Sequence, residues 1–376
     1  MYDLIIYDTS NYVDFPIGGQ LTSVRNFLTY IAEFQKDYYK RILLVGVTTE
    51  SNNLGKITYV EIKGKEFAFL PVVYRDRNLK EVKNSLRIEY LKGLFKYRSL
   101  ISIQKNGLHY IHTPEAFIQI KICHPFAKTA IFSHGSFFNM VKGFRFFKKN
   151  KIVGFCFETF IRWMLKTTNL VFVLDDDSLK QYKKYNKNVI KVNNSVILPK
   201  GDYSNKQKHN PMRLLFVGRL SRIKGVDEII KAAEGEENIE LTIVGDGEER
   251  DYLESLVKTS KISFKGAQKP DQVKNEMIYS DILVMNSILE GKPMTIIEAM
   301  SYGMPIVTTN VGGISELVRF GENAEKTDGT SPSIIAAIKK IQLNYEGYYQ
   351  KSVRISSEFD YKKVNLIIFD RIKKLC

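Results

Sequence analysis

The stretch Ser280–Glu316, SDILVMNSILEGKPMTIIEAMSYGMPIVTTNVGGISE, decides the fold. Ile282 to Met285 is a short apolar run between polar residues, which suits a parallel strand buried on both faces, and Ser287 to Lys292 breaks the pattern. Pro293 fits the first turn of a helix carried by Met294 to Tyr302. Gly303 is free to take the left-handed cap there, and Pro305 forbids continuation. Ile306 to Thr309 is the next strand, and a glycine-rich turn at Gly312-Gly313 leads to Glu316. Alternation of this kind builds a parallel sheet whose ligands bind at the carboxyl ends of the strands.

Two carboxylates fall in this stretch in different settings, Glu290 on the loop after the strand and Glu298 inside the helix. They are not a matched acid–base pair. A retaining glycosidase holds its two carboxyl groups about 5 Å apart, whereas eight steps of helix span about 12 Å. Between them the unpaired N–H groups at the helix start, aided by the helix dipole, offer an anion site.

The same grammar recurs along the chain. Leu4 to Asp8 reads as a strand leading through a loop to Gly18-Gly19, after which Leu21 to Phe34 has helical apolar spacing. Ile42 to Val47 is a second strand, and Lys56 to Leu70 alternates more loosely, as smaller sheet pieces do. Leu108 to His112 and Thr129 to Ser133 are strands ending beside a histidine, His112 in IHTPEA and His134 in FSHGSF. Leu170 to Leu174, a helix from Ser178 to Tyr185, and Val189 to Val192 follow. Arg213 to Gly218 then opens a second series with GRLSRIKGVDEIIKAA. Glu240 to Gly245 with Asp246-Gly247, and Ile262 to Gly266, repeat the strand-to-loop pattern, and Phe359 to Leu375 reads as a last helix.

Glu290, seven residues and Glu298, set in EG-x-P, I-I-E-A-M, G-x-P-I-V and V-G-G-x-x-E in that order, closely resemble the signature of the retaining glycosyltransferases of family 4, which have the GT-B fold. The pattern G-R-L, three residues, K-G at Gly218, Arg219, Leu220, Lys224 and Gly225 is a second match. The resemblance covers the second half well and the first loosely. It implies two Rossmann-like domains with parallel sheets facing across a cleft, and transfer of a sugar from a UDP- or GDP-sugar. By the same resemblance Glu290 meets the donor sugar, Glu298 the ribose, and Arg219 and Lys224 the diphosphate. Gly18 and Gly19 face that diphosphate, Gly266 approaches the base, and His134 lines the transferred sugar. Gly291, Lys292, Pro293, Met294 and Thr295 complete the donor loop. Similar proteins carry N-G-V where this chain has Asn194-Ser195-Val196, which puts a role for Asn194 in doubt. Fixed cations suit the reaction, because a departing nucleoside diphosphate gains negative charge as the sugar bond breaks. No metal or other cofactor is implied. Asp175-Asp176-Asp177 enters a helix, where acids cap the N-terminus and complement its dipole.

At 376 residues the chain suits two domains. The expected division is an acceptor-binding domain over 1–199, a breaker-rich linker over 200–211 (GDYSNKQKHNP from Gly201), a donor-binding domain over 212–355 and a helix over 356–376 crossing back to the first. The acidic start and the lack of a long apolar run argue for a cytoplasmic chain. Cys123, Cys156 and Cys376 have no metal or redox spacing. The net charge of +15 is unevenly placed: residues 1–200 hold 31 Lys and Arg against 16 Asp and Glu, and residues 201–376 hold 25 of each. From Phe137 to Lys166 aromatic residues interleave with Lys142, Arg145, Lys148, Lys149, Lys151, Arg162 and Lys166. That pattern suits an anionic membrane surface on the cytoplasmic side, and no nucleic-acid module accompanies it. The expected acceptor is a glycan or lipid-linked glycan of a cell-surface polysaccharide. A GT-B sugar-nucleotide epimerase or phosphorylase shares the cleft without needing a basic surface, and a catalytically silent transferase-like subunit of a membrane complex would not need Glu290, Glu298, Arg219 and Lys224.

Overall fold

The structure, a computed structural model, describes residues 1–16, 18–76, 85–138, 151–201 and 207–376. Two compact units emerge, Met1–Asn194 with Tyr361–Cys376, and Ser195–Asp360.

The first unit is built on eight strands: β1 (Tyr2–Tyr7), β2 (Ile42–Thr48), β3 (Thr58–Ile62), β4 (Lys65–Tyr74), β5 (Ile103–Ile111), β6 (Lys128–Ser133), β7 (Leu170–Val173) and β8 (Val189–Lys191). Their order is β3-β4-β2-β1-β5-β6-β7-β8, and every neighbouring pair is parallel except β3 and β4. The loose alternation over Lys56 to Leu70 resolves into that antiparallel hairpin, whose two-residue turn places Lys63 and Gly64 at φ 52° and 70°. Positive φ at both turn residues matches the natural strand twist. Helices α1 (Gly19–Phe34), α2 (Leu86–Lys96), α3 (Pro114–Cys123), α4 (Lys151–Thr167) and α5 (Asp176–Tyr182) connect the strands.

Both faces of this sheet are covered, which is why its strands read as unbroken apolar runs. Leu4, Ile6, Leu108 and Tyr110 pack against Val24, Phe27 and Ile31 of α1, while Ile5, Ile111 and Ile131 face Phe117 of α3 and Met164 and Leu165 of α4. The chain's last helix, Tyr361–Lys373, joins the first of these layers through Val364, Ile368 and Phe369. The Phe369 ring meets Tyr38 edge-on at 5.2 Å and lies 6.2 Å from Tyr30.

The second unit holds β9 (Met212–Val217), β10 (Ile239–Val244), β11 (Ile262–Gly266), β12 (Ile282–Met285), β13 (Ile306–Thr309) and β14 (Ala324–Thr327). All neighbours are parallel in the order β11-β10-β9-β12-β13-β14. Its helices are α6 (Val226–Glu234), α7 (Arg250–Ser255), α8 (Pro270–Tyr279), α9 (Met294–Ser301), α10 (Ser331–Leu343) and α11 (Tyr345–Ser356). Strands β11, β12 and β13 coincide with the sequence expectation, and Gly303 takes the expected left-handed backbone at φ 78°. Pro293 is the N-cap of α9 rather than a member of its first turn, with extended ψ of 124°.

The units divide at Asn194–Ser195, upstream of the breaker-rich segment, because Val196 is already pinned to the second unit by its N–H bond to the Phe359 carbonyl (2.8 Å). Residues 202–206 of the expected linker lie outside the described residues. Downstream, the buried Asp281 carboxylate accepts from the backbone of His209 (3.2 Å) and Arg213 (2.8 Å), fixing the entry to β9.

Truncating Phe369 to Ala is expected to lower unfolding free energy by about 3–5 kcal/mol, since a buried ring is lost and a cavity remains. Urea denaturation followed by fluorescence checks this; a loss below about 1 kcal/mol would mean that the last helix does not hold the first unit's core.

Candidate functional site

In the second sheet β9 and β12 are neighbours, and the strands that follow each of them in sequence lie on opposite sides. Loops leaving the carboxyl ends of such a pair diverge and open a crevice at this switch point. The loop after β9 carries Arg219 and Lys224, and the loop after β12 carries Glu290. Lys224 Nζ contacts Glu290 Oε1 directly, with the two side chains only 18% and 11% exposed. Ser287 Oγ donates to the same carboxylate oxygen at 2.7 Å, and the Ser287 carbonyl accepts from Thr309 Oγ1 at 2.6 Å.

Backbone bonds hold the two loops together. The Ile288 N–H donates to the Ile223 carbonyl (2.8 Å), and Asn286 Nδ2 donates to the carbonyls of Gly225 (3.1 Å) and Gly329 (2.9 Å). Gly225 has φ 58°, and a Cβ there would lie 2.5 Å from the Asn286 carbonyl, so the residue after Lys224 must be glycine. The V-G-G turn braces the other side. A Cβ on Gly312, at φ 56°, would meet the Glu290 carbonyl at 1.9 Å, and Gly313 N–H donates to the Gly291 carbonyl at 2.8 Å.

The remaining candidates of this unit separate into distinct roles. Lys292 turns inward to Glu316 at 2.7 Å with its side chain 1% exposed, so the side chain ties the loop to the glycine turn. Arg219 is exposed and paired with Glu248 at 3.1 Å, not with the Lys224–Glu290 pair. Met294 is buried, Gly291 exposed, and Pro293 and Thr295 half-buried; α9 begins with no side-chain cap and no acid in its first turn. Glu298 is half-buried on α9, where loss of water pushes its carboxyl up to about 7. Gly266 ends β11 at φ 67°.

The first unit gathers a second group of polar residues at the carboxyl ends of its central strands. Asp8, just after β1, is buried and accepts from Gln20 Nε2, and burial raises its carboxyl above the usual range. Gly18 and Gly19 lie exposed at the start of α1. His112 follows β5, and its Nδ1 lies 2.9 Å from Nε2 of His134, which follows β6. Burial lowers both imidazoles, His134 to about 3, so both are neutral near pH 7. The sequence points to His134 but not to Asp8, Gln20 or Ser287; a lone acid closing an apolar strand, as Asp8 does, is the available signal.

Asp175 caps α5, accepting from Ser178 N–H at 2.7 Å, as acids at a helix entry are expected to do. Among the described residues no group of three His, Cys, Asp or Glu side chains could hold a metal ion, and no helix is long and apolar enough to cross a membrane. Lys142, Arg145, Lys148 and Lys149 of the basic stretch lie outside the described residues.

These two sheets, each wound about its own switch point, define the GT-B fold. The sucrose-phosphate synthase of Thermosynechococcus elongatus superposes with a TM-score of 0.76 at 16% identity, over all of this chain and 99% of that one. Anabaena HepE in complex with UDP superposes with a TM-score of 0.69 at 17% identity over the full length of both. Both are likenesses of fold. Residues 201–355 match the family described as Glycosyl transferases group 1. An uncharacterized glycosyltransferase of Methanocaldococcus jannaschii is 34% identical over 168 residues, 43% of this chain and 42% of its own length. The O-antigen biosynthesis glycosyltransferase WbnH of Escherichia coli is 30% identical over 207 residues, 54% of this chain and 56% of its own. The chain thus spans about half the length of these two relatives.

A Glu298 carboxyl at about 7, against roughly 4.3 when unfolded, takes up a proton on folding between those values. Its contribution to stability is therefore lost as pH rises from about 4.5 to 7. Glu298→Gln should gain on wild type in melting temperature between pH 5 and pH 8; a difference that stays constant with pH would refute the raised carboxyl.

Proposed function

We propose that this protein is a retaining glycosyltransferase that moves a sugar from a UDP- or GDP-sugar to a glycan or lipid-linked glycan acceptor in cell-surface polysaccharide synthesis. The observation that carries the reading is the Lys224–Glu290 pair held at the switch point of the second sheet. The group 1 match over that unit supports it, as does the O-antigen biosynthesis named for WbnH. Structures of HepE hold UDP and UDP-glucose, which favours a nucleotide-sugar donor here.

On this reading Lys224 and Arg219 meet the diphosphate, and each is held by a carboxylate before the donor arrives, Glu290 and Glu248 respectively. Diphosphate therefore competes with Glu290 for Lys224, and the displaced carboxylate accepts from the hydroxyls of the donor sugar, with Ser287 still holding one oxygen. Charge that develops on the leaving diphosphate is met by the two cations and by the open N–H groups starting α9. By the resemblance Glu298 faces the ribose, Gly266 the base, Gly18 and Gly19 the diphosphate, and His134 the transferred sugar. Gly291 to Thr295 line the donor chiefly through backbone, since the Lys292 side chain is committed to Glu316.

This chemistry needs no divalent ion. With the donor identified by thermal shift across nucleotide sugars, Glu290→Gln and Lys224→Ala should each lower turnover by about a hundredfold, and wild-type activity should persist in excess EDTA. Near wild-type rates for either variant would remove its assigned role, and activity lost to chelation and restored by magnesium would refute metal independence. An anomeric assignment of the product by NMR tests retention.

A second element of the reading is attachment to the cytoplasmic face of a membrane. Helix α4 buries Ile161, Met164 and Leu165 in the core yet leaves Ile152 and Phe155 80% and 66% exposed. Exposed apolar side chains in a basic stretch suit an anionic interface, where each base adds about 1 kcal/mol. The protein should float with anionic vesicles at low salt, much less at about 0.5 M salt where screening shortens to a few ångströms, and hardly with zwitterionic lipid. Ile152→Ser with Phe155→Ser should abolish flotation while melting temperature is kept. Recovery in the soluble fraction whatever the lipid charge would sink attachment and favour a soluble acceptor.

A further inference from the structure

We propose that His112 is a positioning residue that holds His134 as its Nδ1–H tautomer, so that His134 meets its ligand as a hydrogen-bond donor. Strands β5 and β6 run parallel with Ile111 beside Ile131, so the residues after them emerge at the same edge of the sheet. Ser133 Oγ donates to the Gly135 carbonyl at 2.6 Å and tightens the turn, and the two imidazoles then face each other with 2.9 Å between His112 Nδ1 and His134 Nε2. Phe132 stacks on the His112 ring (5.6 Å, 19°) and Tyr110 meets it edge-on (4.5 Å, 67°), which restrains it from turning away.

One proton lies between the two facing nitrogens, and the surroundings of His112 decide which nitrogen owns it. His112 Nε2 is buried and has no hydrogen-bond partner among the described residues. A proton on that nitrogen would be a buried N–H with no acceptor, which is rarer and costlier than a buried acceptor lacking a donor. The proton therefore belongs on His112 Nδ1, which donates to His134 Nε2. Neutral His134 then carries its own proton on Nδ1 and presents an N–H, because the bond made by one ring nitrogen sets the state of the other. A donor of this kind fits an oxygen ligand, and it excludes His134 as a general base through that nitrogen. The identity of the oxygen, a hydroxyl of the transferred sugar, rests on the proposed function; the tautomer does not.

Long-range 1H–15N NMR of the full, ligand-free chain with labelled histidine tests the tautomer directly. His134 should show a protonated-type Nδ1 and a bare-type Nε2, assigned by the resonances that disappear in His134→Gln. The reverse pattern overturns the proposal whatever the activity. His112→Phe keeps the stacked ring but loses the bond, and should average the two His134 nitrogens and lower kcat about tenfold, as loss of an orienting partner does, with donor KM unchanged. His112→Asn, whose amide can donate from the place of Nδ1, should recover most of that loss and the wild-type pattern. Equal kcat for wild type, Phe and Asn would remove the positioning role. Should the Phe variant fail to fold, the wild-type spectrum alone decides. A wild-type spectrum as expected from a chain that transfers no sugar would end the functional reading and leave the tautomer standing.

Discussion

The adjacency of β9 and β12 is the constraint on which the candidate donor site depends. Because the next strands after each lie on opposite sides, the two connecting loops part, and nothing in the sheet fills the gap between their starts. Lys224 and Glu290, sixty-six positions apart in the chain, meet there. Their pairing answers an electrostatic requirement as much as a functional one. A cation or a carboxylate largely withdrawn from water needs a partner, and removal of one leaves the other uncompensated. The Lys224–Glu290 pair is thus neutral and held in place, and on the proposed function a diphosphate enters by exchange of partners rather than by recruiting a loose lysine from solvent. The first unit repeats the device at β1 and β5, where Asp8 and His112 emerge on either side of its own switch point.

Precision in the second unit comes from backbone rather than from charge. The Glu290 loop is fastened on three sides, by Ile288 to Ile223, by Ser287 to Thr309, and by Gly291 to Gly313. Gly312 permits the last contact because no Cβ intervenes. The buried Lys292–Glu316 pair belongs to the same bracing. A buried pair of this kind adds little net stability over an apolar substitute, yet it disfavours any arrangement that separates its members. Its cost is reasonable where the loop must present one carboxylate in one place.

Much of this was legible in the sequence, for identifiable reasons. Strands buried on both faces leave apolar runs with polar ends, so the bounds of β12 and β13 are readable from the sequence, whereas β11, a partly exposed edge strand, is marked by its place before the loop at Gly266. The motif spacings placed Lys224 and Glu290 each on its loop, but spacing has no term for two loops meeting, and their direct bond was not foreseen. Ser287 and Asn286 were invisible because a serine or asparagine after a strand is ordinary turn chemistry until its distant acceptor is known. The partner of Lys292 is hidden for a related reason. A lysine on a polar loop looks solvent-exposed, and only the fold reveals Glu316 beside it. The His112–His134 pair likewise needs the register of β5 and β6, which no local pattern encodes.

The location of charge separates the two proposed partners. The whole excess of +15 resides in residues 1–200, yet the titratable groups immediately after the central strands β1, β5 and β6 are a buried carboxyl raised by burial and two neutral imidazoles. The cations assigned to the diphosphate, Arg219 and Lys224, come from the second half, whose net charge is zero. Donor binding therefore does not account for the basic first half. Sixteen acids for thirty-one bases in one half also cannot be neutralised by ion pairing within that half. The surplus must face solvent and counterions, or an extended anionic surface that replaces them. Apolar side chains left exposed on α4 gain nothing from counterions but do gain from a lipid interface, and the proposed membrane attachment rests on that difference together with the charge.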